Sequence, residues 1–136
     1  MTSSTIKFIK RPTLFAFNAN TGEQVNVGDT VTSFRGEKAT VTSLSRAVIP
    51  GKSGKVVVRW IEKESGPTDF EREYYDSVFD LVVTDVAPGE YDVFTLDGHG
   101  DGVLWARNVK AHNVIHELSK ATMDRGVWGG DYHPSK

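Results

Sequence analysis

The chain has 136 residues, 38% of them hydrophobic and 25% charged, a size and balance that fit one folded domain with or without a short appendage and exclude a disordered polymer. With 16 basic against 18 acidic residues the formal charge is −2, which offers none of the basic excess that draws a protein to duplex DNA. Cysteine is absent, so disulfides, thiolate metal sites and cysteine nucleophiles are excluded.

In chain order, Ile6 to Ile9 and Leu14 to Phe17 read as two short strands, with Pro12 keeping the first away from a sheet centre. Asn18 to Gly22 has the composition of a turn. From Val27 onward short β-branched and aromatic runs alternate with Gly, Asp and Lys. Val27 to Val31 leads to Phe34, and Arg35-Gly36-Glu37-Lys38 makes a polar turn into Ala39 to Leu44, where Ala39, Val41 and Ser43 are expected to share one face. A loop from Ile49 to Gly54 precedes Lys55 to Trp60, the most apolar strand, whose centre, Val57, is expected to be buried. A polar loop over Glu62 to Asp69 is followed by a strand from Phe70 to Tyr75, one helical turn over Asp76 to Phe79, and a closing strand from Asp80 to Val83.

Pro88-Gly89 marks a boundary. Basic against acidic residues number 11 to 10 before Asp85 and 5 to 8 from there on. Tyr91 to Leu96 and Val103 to Val109 read as a hairpin around a glycine-rich loop. One helix follows from Ala111 to Asp124, its stripe made by Val114, Ile115, Leu118 and Ala121 or Thr122 and its end set by Gly126. The tail from Gly126 to Lys136 is expected to be loosely ordered. The expected fold is thus mainly β with one C-terminal helix. An N-terminal pair of strands or hairpin (1–26) and a C-terminal hairpin, helix and tail (85–136) pack on a central unit (27–84).

Five short strands with a one-turn helix before the last is the order of an SH3-like small barrel. Val27-Gly28-Asp29-Thr30-Val31-Thr32-Ser33-Phe34-Arg35-Gly36-Glu37, Gly54-Lys55-Val56-Val57-Val58 and Glu73-Tyr74-Tyr75-Asp76-Ser77-Val78-Phe79-Asp80-Leu81 resemble stretches of small SH3-like proteins encoded by actinobacterial phages. The resemblance spans roughly Phe15 to Val83. Most such proteins lack an assigned function, so it implies a fold and a phage or prophage origin but no activity. The first residues lack a signal-peptide layout and no run is long enough to span a bilayer, so a cytoplasmic protein is expected, in a bacterial host if phage-encoded.

Three strings invite a chemical reading. Gly51-Lys52-Ser53 ends like a phosphate-binding loop, but Arg46 stands where the first glycine belongs. Asp97, His99 and Asp101 open like a calcium loop that then departs from the pattern, with Asn108 where the bidentate glutamate should be. His112 and His116 are four apart on the predicted helix, a spacing zinc sites use. A third ligand has to come from elsewhere, such as His133 or Asp131, and the plainer reading is two solvent-facing histidines opposite the apolar stripe. No G-x-S-x-G elbow exists. The expectation is a non-enzyme without cofactor, and without metal unless His112, His116, Asp97 or Asp101 prove to be ligands.

What remains is aromatic. Tyr74 and Tyr75 are adjacent on a strand, so one must face outward. Phe34, Arg35, Trp60, Tyr74 and Tyr75 are therefore the candidate partner-binding residues, and the expected role is a protein-binding module, acting on a host or virion protein. The competing reading is a nucleic-acid-binding barrel using Arg35, Arg46, Lys52, Lys55 and Arg59, which the net charge disfavours. A metal-dependent enzyme is the third reading.

Overall fold

The computed structural model describes residues 13–61, 70–96, 102–125 and 130–135. Among these residues the chain is mainly β, with three antiparallel sheets and one C-terminal helix. Strands β3 (Thr30–Thr32), β4 (Lys38–Arg46), β5 (Lys55–Trp60) and β6 (Glu71–Tyr75) form the first sheet in that order. The second has the order β2-β1-β7, from β1 (Phe15–Asn18), β2 (Gln24–Val25) and β7 (Leu81–Thr84). The third sets β8 (Glu90–Leu96) between β9 (Gly102–Lys110) and β10 (Gly130–Pro134). Among the described residues no sheet closes on itself, so the strand order of a small barrel is present without a closed barrel. The expected one-turn helix is present as a 3-10 turn over Asp76–Phe79, immediately before β7. The candidate strand Ile6 to Ile9, the loop Glu62 to Asp69, Asp97, His99, Asp101 and Gly126 lie outside the described residues.

The first sheet wraps around a core of Val31, Ala39, Val41, Val56, Val58 and Trp60, which β1 and β7 complete with Ala16, Leu81 and Val83. Burial alternates along β5: Val56, Val58 and Trp60 are inside, while Val57 is only half-buried and pairs with Glu73. The expectation for Val57 is thus corrected by one position. A run of three valines carries no phase of its own, and the register of β5 between β4 and β6 sets which face turns inward. The expected face of Ala39, Val41 and Ser43 is corrected too. A bulge between Val41 and Ser43 breaks the alternation, leaving Ser43 exposed and turning Leu44 toward the core.

A second core gathers Val86, Tyr91, Val93, Ala111 and Val114 together with Phe17. Ala16 and Phe17 are neighbours on β1 whose side chains point to opposite faces, so the β2-β1-β7 sheet is a partition with one core on each side. The expectation of a loosely ordered tail is corrected over Gly130–Pro134, which pairs with β8 through the whole of its length. Tyr132 meets the ring of Tyr91 edge-on at 5.5 Å. Glycine makes this docking possible: a Cβ at position 130 would stand 2.6 Å from Leu118 Cδ2 and 2.9 Å from the Phe94 carbonyl oxygen.

Candidate functional site

The 3-10 turn at Asp76–Phe79 organises the exposed aromatic surface. Its start is anchored by Asp76, whose backbone N–H donates to the Gly54 carbonyl at 3.0 Å. The buried Asp76 carboxylate accepts the Val83 N–H, also at 3.0 Å. Burial pushes this carboxyl above its ordinary value, against the pull of backbone N–H donors from Val83, Ser77 and Gly54. At the other end of the turn, the Phe34 N–H donates to the Val78 carbonyl at 3.0 Å. Tyr75 precedes the turn directly, so Phe34 and Tyr75 flank it.

Both rings are out in solvent, Phe34 at 71% and Tyr75 at 54% exposure. Each carries a cation over its face: the Arg35 guanidinium is 5.5 Å from the Phe34 ring centre, and the Lys55 ammonium 5.2 Å from that of Tyr75. Tyr74 turns the other way, as the alternation requires. It is half-buried, edge-on to Trp60 and Phe79, and its hydroxyl accepts the Trp60 Nε1–H at 2.9 Å. Trp60 itself is only 4% exposed. As a partner-contacting residue it is therefore corrected: it supports the site from within the core.

The basic residues are not a free cluster. Lys55 pairs with Glu73 at 3.3 Å and Arg59 with Glu71 at 3.6 Å across the β5-β6 ladder. Glu73 also accepts the Ser45 hydroxyl, and that bond together with Lys55 holds its carboxyl below the usual range. Arg46 spends its guanidinium on the Ser53 carbonyl, at 2.7 Å from Nη2.

A second concavity lies where α1 (Val114–Arg125) meets the loop between β4 and β5, a cleft of about 500 Å³. It brings together two strings far apart in sequence: Gly51-Lys52-Ser53 on one wall, His112 and His116 on the other. His116 is exposed, but His112 is only 8% exposed, so the reading of two solvent-facing histidines is corrected. The cause is local. His112 sits in a 3-10 turn, Ala111–Asn113, ahead of α1, so the helical i, i+4 spacing does not govern its direction. Its ring packs on Gly22, where a Cβ would lie 2.8 Å from Cε1. Burial, and then the nearby Lys110, depresses its pKa. Among the described residues no three His, Asp or Glu side chains converge as metal ligands. His133 and Asp131, the imagined third ligands, pair with each other at 3.0 Å on β10.

The burial of Trp60 and His112 was not readable from the sequence. Trp60 is set by the phase of β5, and His112 by a turn type that composition does not reveal. No helix among the described residues is long and apolar enough to cross a membrane. No family model, curated protein or solved structure matches the chain.

Proposed function

We propose that the protein is a non-enzymatic binding module that engages a protein partner through the surface around the 3-10 turn, with Phe34, Arg35 and Tyr75 as the contact residues and Trp60 and Tyr74 as their support. The partner is of host or virion origin, in line with the resemblance to phage-encoded SH3-like proteins. One observation carries this reading: two exposed rings, each with a cation over it, flank a turn that is itself pinned by backbone hydrogen bonds at both ends. Aromatic and arginine side chains dominate interface hot spots, and a pre-ordered surface costs little further entropy on binding. The nucleic-acid reading has less support, because Lys55 and Arg59 already face glutamates.

The test is affinity capture from host lysate with the wild type and two variants. Tyr75→Ala and Arg35→Ala are each expected to weaken retention of the main partner by about 1 to 2 kcal/mol while the folded fraction is unchanged. Titration with a fluorescent single-stranded oligonucleotide is the opposing arm. Tight binding that falls steeply with salt and survives both substitutions would replace this reading with the nucleic-acid one.

A further inference from the structure

An unpaired sheet edge is a template for another strand, and the edges of the three sheets differ in how they are closed. β2 and β3 are only two and three residues long. β7 spends its free side within the chain: the Val83 N–H donates to the Asp76 carboxylate at 3.0 Å, and the Val83 carbonyl accepts the Val48 N–H at 2.7 Å. Two register shifts break the β8-β9 ladder, with Asn108 in a left-handed conformation at φ 54°, and β10 contains Pro134, which has no N–H to offer. β6 has none of these devices. It pairs with β5 in unbroken register from Glu71 to Tyr75, contains neither proline nor glycine, and meets no described backbone group on its other side.

The ladder fixes what β6 offers there. Because the Asp76 N–H donates to the Gly54 carbonyl, the alternation of an antiparallel pair turns the N–H and C=O groups of Tyr75, Glu73 and Glu71 away from β5. The side chains of these three share the outer face, where Lys55 and Arg59 already neutralise Glu73 and Glu71. Tyr74 and Arg72 alternate to the inner face, opposite the buried Val56 and Val58. Tyr74 lies against Trp60 and Phe79, whereas Arg72 is exposed and has no ion-pair partner among the described residues. An unpaired charge on the inner face of an edge strand turns away a purely apolar strand and admits one that brings a carboxylate. We infer that β6 is a strand-addition edge for the partner: it takes an extended antiparallel segment with an apolar residue opposite Tyr74 and, two positions later, an acidic residue opposite Arg72. In the new ladder these are the non-hydrogen-bonded positions, where facing side chains stand closest. The inference rests on the partner surface proposed above, since the added strand starts beside Tyr75.

The probe is a peptide of sequence TVTET, blocked at both ends and titrated into the full chain while the backbone amides of β6 are followed by NMR. Saturable shifts of the Glu71, Glu73 and Tyr75 amides are expected at millimolar concentration. N-methylation of the central threonine removes the N–H that faces Glu73 and should abolish them. TVTKT is expected to bind about two- to fivefold more weakly, the worth of a cross-strand ion pair, and Arg72→Glu, an exposed substitution, should reverse that order. The inference is overturned by the lack of a saturable shift, by indifference to N-methylation, or by a preference that Arg72→Glu leaves unchanged in a folded protein. Shifts of the same amides that grow with protein concentration alone also overturn it, by making a second copy the occupant. The partner surface fails separately: Tyr75→Ala and Arg35→Ala would then spare capture from lysate while the peptide still shifts the β6 amides. Capture lost in both variants, with no response to the peptide, removes the strand-addition edge and leaves the partner surface standing.

Discussion

Val56 and Val58 are fully buried while Val57, between them, looks across the outer face of the sheet toward Glu73. Val58→Asp is therefore expected to prevent folding, because an unpaired charge in the core costs several kcal/mol out of a small total stability. Val57→Asp should leave a cooperative unfolding transition, and thermal melts followed by circular dichroism separate the two. Thr95 offers the opposite case. Its hydroxyl is enclosed without a hydrogen-bond partner among the described residues, so Thr95→Val should raise stability by about 1 kcal/mol in urea titrations. For Asp76 the sign follows from linkage. Its carboxyl is raised in the folded state, so the stability it contributes is complete below the unfolded-state value and declines as pH rises through the folded one. The destabilisation caused by Asp76→Asn should accordingly be smaller at neutral pH than at about pH 3, where the wild-type side chain is a neutral acid in both states.

At the scale of elements, β10 is the piece most sensitive to a single methyl group. Gly130→Ala drives a Cβ against the Phe94 carbonyl and Leu118, and is expected to detach the strand at a cost of about 1 to 3 kcal/mol. Loss of amide protection over Gly130–Pro134 in hydrogen exchange, with the first sheet unaffected, is the measurement. This strand was illegible beforehand because glycine-rich composition reads as loop, whereas here the missing side chain is what permits the approach. Most other elements were legible. Strands from Thr30 to Thr84 announce themselves by alternation and by Gly and Asp at their ends, and the 3-10 turn by the polar break after Tyr75. The bulge in β4 was not, since nothing in Ala39-Thr40-Val41-Thr42-Ser43-Leu44 marks the residue that drops out of register. The exposed half of the candidate site followed from the adjacency of Tyr74 and Tyr75. The meeting of Gly51-Lys52-Ser53 with His112 and His116 did not, because tertiary packing alone joins them.

At the scale of the whole molecule, the two cores meet at β1, which fills both, and heat should melt them together. Calorimetry is expected to give one transition whose van't Hoff and calorimetric enthalpies agree; two resolved transitions would show that the halves are independent. The shared partition also restricts how such a chain can change over generations. Phe17 lies in the N-terminal stretch yet fills the core built mainly by residues beyond Thr84, while its neighbour Ala16 fills the other. A crossover anywhere between them and the C-terminal hairpin would give a hybrid whose second core inherits the wrong residue at position 17. A one-residue insertion in β1 would set phenylalanine in the place of alanine on one face and alanine in the place of phenylalanine on the other. The C-terminal part is therefore not a cassette that recombination can move from one protein to another, and must be inherited with the strand that walls it in.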